Sequence, residues 1–233
     1  MQLVERAFCH NASLVSALDS ARVAVEMRDF RRAIQFFQSH PGELDKPALV
    51  QYALALDGLG RRQEAIKVLT EHGGTHSDAL GTLGGRLKRR WRVERREADA
   101  IEALGFYEEG YRLALAQQDS SQAYYHAVNA AFMYLVFRRD STVAKEWAER
   151  SLTACQAAVD DISIWRLVTE GECLLITGED EEALTHYRRA LKMEANPWKL
   201  RSAYEQAYLV AKYLEKEETC TALQQLFGLP IPY

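Results

Sequence analysis

The sequence predicts an all-α protein, an α-α superhelix assembled from about six helical hairpins, and three observations carry that prediction. Of the 233 residues, 32 are alanine and 28 leucine, both strong helix formers. Turn residues are sparse: none of the five prolines lies between Ala48 and Asn196. A sandwich or barrel needs a turn signal every ~8–12 residues, and βαβ units need Val/Ile runs between helices. The chain has neither pattern. Finally, an alanine recurs at positions 33, 65, 103, 144, 183 and 222, spaced by 32, 38, 41, 39 and 39 residues. Repeats of this period indicate stacked supersecondary units.

Each ruler alanine stands early in the second helix of a hairpin, with Phe37, Leu69, Tyr107, Ala148, Tyr187 or Leu226 one turn further on the same face. In the first hairpin, near 18–40, Ala21 and Ala24 precede the polar turn Arg28 and Asp29. In the second, near 48–72, Ala53 and Leu56 precede Gly60, Arg61 and Arg62. The third, near 80–117, opens on a stripe of Leu80, Leu83, Leu87 and Trp91. The fourth, near 122–158, places Phe132 and Leu135 before Arg138, Arg139 and Asp140. The fifth, near 162–194, places Gly171 and Leu174 before Gly178, Glu179 and Asp180. The sixth, near 200–228, places Val210 and Tyr213 before Glu215 and Lys216. A small ruler residue lets the two helices of a hairpin approach closely. One hairpin cannot cover its own apolar face, so the six are expected to stack into a single domain over 1–233.

A net charge of −4, with 48% hydrophobic and 27% charged residues, is the composition of a globular chain with a sizeable core. The longest uncharged runs, such as Ala123–Phe137, fall short of the ~20 residues a bilayer span needs, so no membrane partner is expected. Residues 1–6 meet charges at Glu5 and Arg6 with no apolar core behind them, and a cytoplasmic location is expected. Cys9, Cys155, Cys173 and Cys220 show no CxxC spacing, which favours reduced thiols over disulfides or zinc.

The set Gly171, Leu174, Gly178, Ala183, Tyr187 and Ala190, followed by Pro197, resembles the tetratricopeptide repeat. The resemblance implies a tetratricopeptide-like solenoid that binds proteins. A narrower resemblance covers residues 80–150. Leu83 to Lys88, then Ala103 with Phe106 to Tyr111, then Tyr124, Tyr125, Asn129, Ala130 and Ala131 are similar to the TRAF-binding, tetratricopeptide-like region of mitogen-activated kinase kinase kinases and its bacterial relatives. That family uses the region as a regulatory scaffold in signalling, and its bacterial versions sit in signalling or conflict systems. No kinase signature accompanies it here, and Arg89 and Arg90 depart from the expected pair.

Two surfaces are candidate sites. Arg86, Lys88, Arg89, Arg90, Arg92, Arg95 and Arg96 oppose a single Glu94 within eleven residues. With the apolar stripe on the same segment, the bases are expected to point away from it, as a dock for an acidic peptide, a phosphate or nucleic acid. The same charges would also serve as a solvated face paired with Glu97, Asp99 and Glu102. The second surface is the inner face of the solenoid, assigned by the repeat register to Asn129, Met133, Trp165, Thr169, Glu172, Tyr204 and Tyr208. Rigid rings beside an amide suit a peptide groove, and the same rings would alternatively pack between hairpins.

No catalytic constellation is visible. His72 and His76 flank Gly73, Gly74 and Thr75 on a turn without a complete ligand set, and the segment Gly81 to Arg86 lacks both the Walker ending and a preceding strand. No metal or cofactor is expected. The sequence therefore predicts a non-enzymatic scaffold or regulatory adaptor for a protein or peptide partner. Peptide sensing, or nucleic-acid and acidic-ligand binding through residues 86–96, are the alternatives.

Overall fold

The computed structural model describes residues 14–39, 44–72, 76–193 and 196–232. Among them are twelve α-helices and one π turn. These are α1 (Leu14–Glu26), α2 (Phe30–Gln38), α3 (Lys46–Gly58), α4 (Arg62–His72), α5 (Ser77–Glu94), α6 (Glu97–Ala116), α7 (Ser120–Met133), the π turn (Tyr134–Arg138), α8 (Ser141–Ala157), α9 (Ile164–Thr177), α10 (Asp180–Leu191), α11 (Pro197–Tyr213) and α12 (Glu217–Phe227). No strand occurs among the described residues. The all-α repeat fold expected from alanine and leucine is the fold observed.

Local chemistry starts the helices. Asp29, Asp45, Asp119 and Asp140 each accept a hydrogen bond from the backbone N–H three residues on, at 2.8–3.3 Å, satisfying a donor that the helix leaves open. Pro47 and Pro197 occupy first-turn positions of α3 and α11, where a missing N–H costs nothing.

Five of the turns between helices share one geometry. A residue of left-handed conformation is followed by the cap residue of the next helix, whose N–H donates to the carbonyl five residues back. The pairs are Asp29 to Ala24, Arg61 to Leu56, Asp119 to Ala114, Glu179 to Leu174 and Lys216 to Ala211, at 2.8–3.0 Å. Glycine fills the left-handed position at Gly60 and Gly178, whereas Arg28, Gln118 and Glu215 adopt it at positive φ despite their side chains. The turn into α8 differs: Asp140 donates six residues back, to Tyr134, because the π turn holds one extra residue.

The chain divides into two compact units, one ending at Asp99 and the other starting at Ala100. In the first unit α1 packs on α2 and α3 on α4, and the leading helices α1, α3 and α5 lie in succession, α3 touching both others. In the second unit α7 packs on α8, α9 on α10 and α11 on α12, while α9 touches both α7 and α11. Leading helices stacked on leading helices are what repeat stacking requires.

The core of each unit is built from the ruler positions. Ala33, Ala65, Ala103, Ala144 and Ala183 are completely buried, as are their partners Leu69, Tyr107 and Ala148, with Phe37 and Tyr187 nearly so. The sixth ruler position is a correction. Ala222 is only half-buried, and by the turn hydrogen bonds Cys220 stands where Ala183 does. Leu223 carries the burial on α12 instead, and Tyr213, expected beside Val210, is exposed. The thiols Cys155 and Cys173 are buried and unbridged, and burial pushes both well above the usual thiol range.

Candidate protein-binding surfaces

The turn hydrogen bonds supply a better ruler for the leading helices than alanine counting. Counting back from the acceptor carbonyls of Tyr134, Leu174 and Ala211 aligns α7, α9 and α11. Five residues before them stand Asn129, Thr169 and Gln206, and nine before stand Tyr125, Trp165 and Ser202. Asn129 and Thr169 are buried and Gln206 half-buried, so this polar row forms the floor of the face rather than a set of free clamps. Gln206 Nε2 donates to both carboxylate oxygens of Glu172 at 2.9 Å, joining α11 to α9. Asn129 donates to the Tyr125 carbonyl one turn back on α7, at 2.7 Å.

Aromatic rings stand at one end of the row. Trp165 of α9 and Trp198 of α11 lie with centroids 5.9 Å apart, both half-buried, and Tyr125 of α7 is exposed. Lys199 places its ammonium 5.5 Å from the Trp198 ring. The adjacent loop carries Val159 and Ile162, 72% and 87% exposed. That loop is held down by Asp161, which accepts from Tyr124 Oη at 2.6 Å, Ser121 Oγ at 3.0 Å and the Ser163 backbone at 2.8 Å. Burial alone would raise the Asp161 pKa. The hydrogen bonds from Ser163, Tyr124 and Ser121 outweigh it and hold the group down at about 2.

Of the seven groove residues expected from sequence, Trp165 and Tyr208 keep partial exposure, and Asn129, Thr169 and Glu172 lie in the buried floor. Met133 and Tyr204 are corrections: both are fully buried. The extra residue of the π turn rotates α7 by about 100° relative to a count from Ala144, so Met133 stands where Cys173 stands on α9, in the core. The two-residue error at Ala222 likewise turns Tyr204 inward, where it packs on Phe227 at 5.4 Å and Tyr208 at 5.8 Å. Tyr125, Trp198 and Gln206 belong to the face but escaped the alanine count. The proline opening α11 was the signal available for Trp198.

The basic segment is divided, which corrects the expectation that its charges point outward together. Arg86 and Lys88 are buried. Arg86 pairs with Asp57 of α3, and Arg90 makes a two-bond pair with the buried Asp99. Side-on guanidinium–carboxylate pairing of this kind draws charge inward. Arg89 and Arg96 remain mostly exposed, Arg95 is exposed in the left-handed conformation that ends α5, and Arg92 is half-buried. Residues 73–75, between the two histidines, lie outside the described residues. Among the described ones no three His, Cys, Asp or Glu side chains converge as metal ligands.

With the geometry established, comparison with known proteins adds two findings. A family model described as Tetratricopeptide Repeats-Sensor matches residues 29–134, somewhat under half of the chain. A solved structure described as a thermophilic TPR protein from Thermus thermophilus superposes with a TM-score of 0.59 at 17% identity, covering 84% of this chain and 100% of that one. This is a tetratricopeptide-repeat fold. No curated protein matches the chain. No described helix is long and apolar enough to cross a membrane.

Proposed function

We propose that the chain is a non-catalytic scaffold or regulatory adaptor of the cytoplasm that takes a protein or peptide partner on the face of α7, α9 and α11. One observation supports this above the others. Three successive leading helices present Asn129, Thr169 and Gln206 at one equivalent level, with Tyr125 and Trp165 one turn away at the next. A polar row beside rigid rings suits an extended or helical peptide, because the rings give contact area at small entropic cost. The resemblance of residues 80–150 to the TRAF-binding region extends the proposal to signalling or defence complexes.

The test is capture of partners from the native cell by the tagged full chain, quantified for the parent and for Tyr125→Ala with Trp165→Ala. The double variant, folded by circular dichroism, is expected to lose the partners that the parent retains. Retention of all of them, with loss instead in Arg95→Glu/Arg96→Glu, would overturn the assignment of the face.

The word sensor in the family description supports a second reading, a sensing regulator, for which a peptide is the ligand proposed. Its mark would be compaction of the chain in solution X-ray scattering when the peptide is added. Nucleic acid is disfavoured by the division of the basic segment, since Arg86 and Arg90 spend their charge on Asp57 and Asp99.

A further inference from the structure

Asp57 lies near the end of α3, nine-tenths buried, and three guanidinium groups converge on its one carboxylate. Arg86 pairs with Oδ2 from α5. Arg89, one turn further along α5, reaches the same oxygen at 3.7 Å, and Arg62, the first residue of α4, approaches Oδ1 with Nε at 3.4 Å. All four residues belong to one unit of the chain. The neighbouring Arg61 is neutralised by Glu64 through two hydrogen bonds, at 2.6 and 2.7 Å, and takes no part.

At this carboxylate three guanidinium groups face a single negative charge. Arg86 is buried and holds the short contact, so it anchors the carboxylate. Arg62 and Arg89 hold only long contacts to it and keep 35% and 59% of their side chains in solvent. Guanidinium groups gathered this closely repel one another, and an anion seated between them would remove that repulsion. The two exposed forks of Arg62 and Arg89 match a tetrahedral dianion better than a carboxylate, whose single charge would leave one of them uncompensated.

We propose that Arg62 and Arg89, positioned by Asp57 and Arg86, form a binding site for a phosphomonoester dianion. The site belongs to the unit ending at Asp99 and stands independently of the peptide face proposed above. The phosphate could arrive on a small metabolite or on a phosphorylated protein side chain, since both carry the same group.

The test follows the arginine Nε–H resonances of the full chain by NMR at constant ionic strength, with phenyl phosphate and phenyl sulfate as probes. Phenyl phosphate should bind and shift the Arg62 and Arg89 signals. Its affinity should rise between pH 5 and 7.5 as the second phosphate proton, of pKa about 6, is lost. Phenyl sulfate, which stays a monoanion, should bind more weakly and without that pH dependence. Arg62→Gln and Arg89→Gln should each weaken phenyl phosphate about tenfold, while Arg95→Gln/Arg96→Gln, equally basic but outside the cluster, should leave it within about twofold.

A phosphoserine peptide tighter than phenyl phosphate would identify a protein-borne source, and equal affinities a small-molecule one. Equal losses in the Arg95/Arg96 variant, equal affinity for sulfate and phosphate, or no shift with phenyl phosphate in the millimolar range would overturn the site. Melting curves of the Gln variants separate loss of the site from loss of the fold.

Discussion

Two glycines on the same helix, Gly105 and Gly110 of α6, should respond to alanine with opposite signs. A Cβ built at Gly105 meets nothing within 4 Å, and the residue is exposed. Alanine there gains helix propensity, about 1 kcal/mol, and loses nothing. At Gly110 a Cβ would fall inside the van der Waals envelope of the His126 ring, closer than real Cβ atoms approach, against Cε1 and both ring nitrogens at once. His126 is completely buried on α7 and packs edge-on against Tyr107 and Tyr125, with centroids 6.2 and 5.4 Å away.

The ring therefore has little room to retreat, and α6 and α7 must part. Overpacking of this kind costs about 1–3 kcal/mol, more than the propensity gain in most of that range. The net expectation for Gly110→Ala is a loss of up to about 2 kcal/mol, or as much as roughly 8 °C in melting temperature for a chain of this size. Gly105→Ala should melt about 2–4 °C higher than the parent. Thermal melts followed by circular dichroism at 222 nm compare the three proteins. A Gly110→Ala protein as stable as the Gly105→Ala one would refute the close approach of α6 and α7.

Two further predictions concern charge. Because the Asp161 pKa is held below its ordinary value of 3.8, its ionised form contributes stability that is present above about pH 4 and is lost as pH falls toward 2. Asp161→Asn should lower the melting temperature at pH 7 and flatten the decline of the melting temperature between pH 4 and 2; an acid limb unchanged in slope would contradict the assigned hydrogen bonds. Replacing Asp57 by Ala leaves the buried Arg86 without its carboxylate and should cost about 3–5 kcal/mol in urea unfolding, whereas Asp57→Leu with Arg86→Met should recover most of that loss. A double variant as unstable as the single one would show that the pair itself, rather than the buried charge left by a broken pair, carries the energy.

The helices of this chain were legible because their determinants are local. Asp at the caps, Pro47 and Pro197 in first turns, and alanine with a bulky residue one turn on are each read within a few residues. Five of the six alanines picked out by the count are buried completely. The count failed where the chain changed length between the marker and the helix being placed. The π turn before Asp140 adds one residue, and α12 buries Leu223 rather than Ala222, so Met133 and Tyr204 were assigned to a groove and stand in the core. Arg28, Gln118, Arg139 and Glu215 in left-handed conformation offered no glycine to mark these turns.

The basic segment shows the same division at the level of charge. Seven cations within eleven residues were evident by inspection. Asp99, which pairs with Arg90, was among the neighbouring carboxylates named as partners; Asp57 was not, because it lies 29 residues from Arg86, on another helix. By itself, then, the amino-acid order determined helix, turn and repeat, because propensity, capping and one-turn spacing act over a few residues. Tertiary structure decided which side chains remain available to a partner. Burial depends on the rotation of each helix about its axis, and a single residue added in a turn changes that rotation by about 100°.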